Sequence, residues 1–195
     1  MGNQANAVFI VFEGKQYTYK ESYDLALKYG TWLKMKHNIK PKEVVAMDFM
    51  NSATFVFLWF GIWAIGAKPA FINYNLNGKA LAHCITSSTA RLFLVDAELQ
   101  GNVDEVLKAS LTGVRIEVLT PAIEVEIMST VGEREPDASR SDDKSQNMAA
   151  LIFTSGTTGL PKPAIVSWTK MNVGSILVPT WASFQKSDIF YTVSD

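Results

Sequence analysis

The chain has few of the residues from which reactive and metal centres are most often built. Its 195 residues include one cysteine, Cys84, and two histidines, His37 and His83. A lone cysteine closes no internal disulfide, so a disulfide-stapled scaffold is excluded. Two separated histidines and one thiol fall short of a structural zinc site. His83 and Cys84 are adjacent, but adjacent helix positions point in different directions, so they make no nucleophile–base pair. Cys84 reads as a small core residue. Charge of one sign is also missing: 18 Lys and Arg stand against 19 Asp and Glu, a formal net charge of -1. No basic stripe is present, which argues against a nucleic-acid partner. The first residues show no basic segment leading into an apolar one, as a secretory signal would. Gly2 is followed by Asn6 where a myristoylation signal wants Ser or Thr. The longest apolar run, Ala53 to Ala67, is shorter than the ~20 residues of a spanning helix and reads as a buried core helix.

Periodicity organises what is there. Val8 to Phe12 and Gln16 to Thr18 flank a Glu13-Gly14-Lys15 turn and read as a β-hairpin. Thr18 and Glu21 have capping-box spacing and open a helix to about Lys36, closed by Asn38 and Pro41. Apolar strands then alternate with helices. The strands are Glu43–Phe49, Pro69–Tyr74, Arg91–Val95 and Val114–Leu119. The helices are Ala53–Ile65, capped by Asn51 or Ser52, then Lys79–Ser88, and one from the Asp96 cap to about Leu111. Such alternation implies an α/β fold with a largely parallel sheet and helices on both faces. Residues 129–147 carry almost no apolar side chain and read as a solvated, mobile linker. They divide the chain into an N-terminal α/β subdomain, 1–128, and a segment 148–195 that begins the next subdomain. In that segment Met148–Phe153 and Ala164–Trp168 read as strands. Lys170–Phe184 reads as a helix interrupted at Pro179, and Asp188–Val193 as a further strand.

Between the strands of the last segment lies Thr154-Ser155-Gly156-Thr157-Thr158-Gly159-Leu160-Pro161-Lys162. Four hydroxyls crowd into five residues. Gly156 and Gly159 free the backbone to turn several N–H groups toward one anion, and Lys162 adds a mobile cation. Hydroxyls, amides and an ammonium around one concavity suit a polyphosphate. The spacing differs from the G-x-x-x-x-G-K-[ST] loop, because the gap between glycines is too short and Pro163 follows the lysine. It also differs from the dinucleotide fingerprint. Phe153 occupies the place of the first glycine in a G-x-S-x-G elbow, so Ser155 is not a nucleophile of that kind.

The run from Leu151 to Lys162 resembles the signature phosphate loop of the adenylate-forming superfamily of acyl-CoA synthetases, luciferases and peptide-synthetase adenylation domains. Met47–Ser52, Phe57–Trp63, Gly66–Leu76 and Pro161–Trp168 resemble the fatty acid transport protein branch, the very long-chain acyl-CoA synthetases, and its fungal members in particular. The resemblance covers about residues 8–192. It implies the N-terminal part of a large adenylation domain. It also implies ATP-dependent adenylation of a long-chain or very long-chain fatty acid, followed by thioester formation with coenzyme A. Thr154, Ser155, Gly156, Thr157, Thr158, Gly159 and Lys162 would then hold the triphosphate, with Mg2+ accompanying ATP. Family members work inside the cell at the endoplasmic reticulum, peroxisome, lipid droplet or plasma membrane, which implies peripheral membrane association.

The same resemblance sets an expectation about completeness. The family's adenine-binding segment, ribose-binding aspartate, magnesium-site glutamate and C-terminal catalytic lysine have no counterpart here, so a truncated, inactive fragment is expected. Its incomplete core should leave the Trp59/Trp63 helix or a sheet edge exposed. The alternatives are a non-catalytic fragment that binds a nucleotide or a partner, and a relative that activates a different carboxylic acid.

Overall fold

A computed structural model describes residues 4–140, 144–154, 159–185 and 188–191. The chain opens with the expected hairpin, β1 (Val8–Phe12) and β2 (Lys15–Thr18), paired antiparallel. Helix α1 (Tyr19–His37) follows directly. Thr18 Oγ1 accepts from the Glu21 N–H at 3.1 Å, and the Glu21 carboxylate accepts from the Thr18 N–H at 2.8 Å, so the capping box is reciprocal. Asn38, in the left-handed region at φ 54°, ends the helix.

The strands β3 (Val44–Asp48), β4 (Lys68–Ile72), β5 (Leu92–Asp96), β6 (Arg115–Leu119), β7 (Met148–Thr154) and β8 (Lys162–Ser167) form one sheet in the order β6-β5-β3-β4-β7-β8. The first five in that order are parallel, and only β8 runs antiparallel, at an edge. Segment 148–195 therefore contributes its two strands to the same sheet as the earlier residues. Each central strand serves two cores. Val45, Met47, Leu92 and Leu94 pack on one side with α1, α2 (Ala53–Ala64) and α5 (Pro121–Ser129). Val44, Ala46, Phe93 and Val95 pack on the other with α3 (Gly78–Ser87) and α4 (Glu105–Ser110). Burial of both faces is why these strands read as unbroken apolar runs.

Helix α2 lies between the sheet and α1. Backbones touch where glycine meets glycine: a Cβ on Gly61 would stand 2.8 Å from the Ala26 carbonyl oxygen and 2.9 Å from the Gly30 nitrogen. Trp63 Nε1 donates to the Ala149 carbonyl at 2.8 Å, which ties α2 to β7. Among the described residues no helix is long and apolar enough to cross a membrane.

Four local expectations need correction. The helix expected from Asp96 to Leu111 is broken into a 3-10 stretch (Ala97–Asn102) and α4. Asp96 caps only the first piece, and Asp104 Oδ1 supplies a second cap by accepting from the Leu107 N–H at 2.7 Å. Gly101 and Asn102 are poor helix formers and sit at the break. The stretch 120–129, for which no element was expected, has a Thr120 cap and Pro121 at the first turn and forms α5. The polar stretch after it is on the surface but tied down. The Glu133 N–H donates to Thr31 Oγ1 at 2.8 Å, Lys34 pairs with Glu135, and Gly132 sits against Leu27 of α1. Charge and hydroxyl contacts anchor it where apolar side chains are absent, and residues 137–140 add a single helical turn, α6 (Asp137–Arg140). Finally, α7 (Trp168–Trp181) carries Pro179 within its last turn rather than stopping there, and Asp188–Tyr191 form no strand.

Candidate functional site

Strand β7 delivers the glycine-rich loop to the carboxyl end of the parallel sheet, where α/β folds place their ligand crevices. The loop closes a hairpin with β8. Thr154 and Lys162 are direct partners across it, and Phe153 pairs with Pro163. Both Thr154 and Lys162 are exposed. Thr154 Oγ1 donates to the Lys162 carbonyl at 3.4 Å. Gly159 has φ +95°, a conformation side-chain-bearing residues avoid, and among the described residues no atom stands within 4 Å of the place its Cβ would take. The structure thus brings Thr154, Gly159 and Lys162 together at the base and exit of the loop. Ser155, Gly156, Thr157 and Thr158 lie outside the described residues.

One contact of the loop escaped sequence reasoning. His83 Nε2 lies 3.0 Å from the Pro161 carbonyl oxygen. A carbonyl only accepts, so the proton sits on Nε2 and His83 fastens the loop exit to α3. The residue was visible in sequence, but nothing local linked it to a loop 78 positions away. Cys84 beside it is fully buried in the core under α3, and burial pushes its thiol up to about 11, so it is no nucleophile at neutral pH.

A second feature at the carboxyl ends of the strands was also missed. Asp48, the last residue of β3, is fully buried, and neither carboxylate oxygen has a hydrogen-bond partner. Burial, with the nearby Asp96 charge as a smaller cause, raises its pKa to about 7. The signal was an acid inside an apolar run, Val44 to Phe49. His37 shows the opposite displacement. Arg115 Nη1 stands 3.2 Å from its Nδ1, and because guanidinium only donates, Nδ1 is the bare acceptor. The Nε2–H faces Glu117 at 3.5 Å, too long for a good hydrogen bond. Burial first, then the Arg115 and Lys36 charges, push His37 down to about 4, so the ring is neutral and Glu117 does not hold it charged.

A hydroxyl and an ammonium facing each other across a hairpin, with an open left-handed glycine between them, suit phosphate oxygens. Among the described residues no group of three or more His, Cys, Asp or Glu side chains could hold a metal ion.

Residues 1–194 match the AMP-binding enzyme family. The chain belongs to that family. It is 31% identical over 191 residues to the very long-chain fatty acid transport protein of Cochliobolus heterostrophus, covering 97% of this chain and 29% of that protein. It is 31% identical over 160 residues to the medium/long-chain-fatty-acid–CoA ligase FadD6 of Mycobacterium tuberculosis, covering 82% of this chain and 26% of the ligase. The chain spans less than a third of the length of these two curated relatives. Among solved structures, that of the anthranilate CoA ligase AuaEII in complex with anthranoyl-AMP has the same fold over 91% of this chain and 34% of its own, with a TM-score of 0.80 at 21% identity. The sequence match thus gives the family, and the solved structure shares the α/β fold over about a third of its length.

Proposed function

We propose that this chain carries the triphosphate grip of a long-chain or very long-chain fatty acid–CoA ligase. The observation that carries the reading is the pairing of Thr154 with Lys162 across a hairpin at the carboxyl end of a parallel sheet. In this reading Thr154, Ser155, Gly156, Thr157, Thr158, Gly159 and Lys162 hold the phosphates of ATP. Lys162 neutralises charge on the outer phosphates while pyrophosphate leaves. Mg2+ accompanies ATP and would draw its ligands from the phosphates and from groups other than these residues. The acid's carboxylate attacks the α-phosphorus, displacing pyrophosphate to give an acyl-adenylate; the coenzyme A thiol then attacks the acyl carbon, forming the thioester as AMP leaves and the thiol proton is released. The work of this chain's residues is positional and electrostatic. The fatty-acid substrate and the coenzyme A step are supported by the names of the relatives, action at an intracellular membrane surface rests on the family resemblance alone, and all three belong to the whole ligase. Residues 1–128, 129–147 and 148–195 would be, in turn, a first subdomain, its connector and the start of the phosphate-binding one.

The test is calorimetric titration of the 195-residue chain with MgATP. Lys162→Ala should weaken binding by about tenfold to a hundredfold, the cost of one charged hydrogen bond. Equal affinity of the wild type and the variant would remove the loop from the nucleotide site.

A further inference from the structure

The glycine-rich loop leaves through Leu160, Pro161, Lys162 and Pro163, and the two prolines have no N–H to give. Lys162 faces Thr154 across the hairpin and Pro163 faces Phe153, at the start of the edge strand β8. With proline on both sides of Lys162 the backbone ladder is thin here, and the exit is held through its carbonyls. The Lys162 carbonyl accepts from Thr154 Oγ1 at 3.4 Å, a long bond from within the same hairpin. The Pro161 carbonyl accepts from His83 Nε2 at 3.0 Å, a bond of ordinary length from another layer of the fold.

The two ends of that second bond differ in freedom. Helix α3 keeps Leu81, Cys84 and Ile85 fully buried in the core beneath it, so close packing fixes its position on the sheet. His83 sits half-buried between two of those residues, and its short, ringed side chain leaves Nε2 few places to be. Lys162 is exposed and carries a long flexible stem. Its ammonium can be aimed only from its own Cα. A peptide is planar, so the Pro161 carbonyl, the Lys162 nitrogen and the Lys162 Cα move as one rigid unit. Fastening the Pro161 oxygen to α3 therefore fastens the root of the lysine side chain.

We propose that His83 is a positioning residue for the phosphate site: through the Pro161–Lys162 peptide it holds Lys162 where its ammonium meets the outer phosphates of ATP. This role rests on the nucleotide reading of the loop and adds to it a residue of α3 that acts through Lys162 rather than on the nucleotide. The contribution is pre-organisation. Conformations of the loop exit that His83 excludes beforehand do not have to be frozen out when the nucleotide binds.

The test is calorimetric titration with MgATP of the 195-residue chain as wild type, His83→Phe, His83→Gln, Lys162→Ala and the His83→Phe/Lys162→Ala double variant, each shown to be folded by its thermal melt. His83→Phe keeps an aromatic ring but no donor and should weaken binding about fivefold, the worth of one neutral hydrogen bond. His83→Gln brings an amide N–H close to the place of Nε2 and should restore affinity to within about twofold of the wild type. In the double variant His83→Phe should add less than about twofold to the loss already caused by Lys162→Ala, because a lysine root has nothing to aim once the ammonium is gone. A change that merely loosened the fold would act equally in both backgrounds. Suppose Lys162→Ala binds more weakly than the wild type. Then wild-type affinity in His83→Phe, no recovery in His83→Gln, or the full fivefold loss in the double variant would overturn the role of His83 and leave the nucleotide reading standing. Equal affinity of the wild type and Lys162→Ala, or no binding by the wild type, would overturn the nucleotide reading and the role of His83 with it.

Discussion

Helices α2 and α7 are both written largely in apolar residues, and they meet opposite fates. Helix α2 is sandwiched between the sheet and α1, with Phe57, Leu58 and Ile62 buried. Helix α7 buries none of its residues; Ile176, Leu177 and Val178 are exposed and Trp181 is 95% exposed. Of the two surfaces expected to be exposed, Trp59 and Trp63 are half-buried against Phe71 and Trp168, while the edge strand β8 is largely exposed, with Ile165 at 57%. Further exposed apolar residues lie on α7 and at Ile189, Phe190 and Tyr191. Apolar composition makes a helix eligible for a core, but a facing element decides whether it enters one. Up to β7 the molecule is closed on both faces of its sheet. Beyond it, the described residues of the segment that holds the glycine-rich loop are open.

The largest effects should come from titrating the closed part. Asp48 has a folded pKa near 7 against an ordinary carboxyl near 4, so the folded state holds a proton the unfolded state releases. Its contribution is present below about pH 4 and lost as pH rises toward 7, a change of up to about 4 kcal/mol. His37 acts in the other sense. Its folded pKa near 4 lies below its ordinary value, so its contribution is present above about pH 6.5 and lost as pH falls toward 4, about 3 kcal/mol. The two slopes oppose each other in the shared window. Denaturant titrations between pH 4 and 7 should show nearly flat stability for the wild type. Asp48→Asn should rise in stability with pH, and His37→Gln should fall. Parallel pH profiles for both variants would refute the assignment.

Steric changes come next. Gly61→Val must displace the Ala26 carbonyl or the Gly30 backbone and should cost about 3 kcal/mol, lowering the melting temperature by roughly 10 °C. Gly174→Val on α7 meets nothing within 4 Å and should shift stability by less than about 0.5 kcal/mol. Equal losses would show that α7 is as enclosed as α2. A loss between these two is expected at His83→Phe, which frees the loop exit from α3 and should cost about 1 kcal/mol in stability.

Much of this architecture was legible. Capping residues Thr18 and Ser52 announced their helices because a cap is satisfied within four residues of itself. The unbroken apolar strands announced burial on both faces. The loop from Thr154 to Lys162 suggested anion binding because its donors are consecutive, and that reading stands as the proposal made above. What stayed hidden depended on distant partners: the anchoring of 130–135 on α1, the His83 contact with the loop, and the buried solitude of Asp48 inside a strand that otherwise reads as plain core.

By itself the sequence determined most of the helices and strands and that the sheet is largely parallel, and it suggested where a polyphosphate could be gripped. Each of these rests on periods and spacings of a few residues, which local sterics and backbone hydrogen bonding settle. Only the tertiary structure decided that β5 lies beside β3 rather than β4, that α2 is enclosed while α7 is left open, and that His83 fastens the loop exit to α3. Those outcomes depend on which surfaces meet across long stretches of chain. Hydrophobic attraction has no direction, so it favours burial without naming the partner.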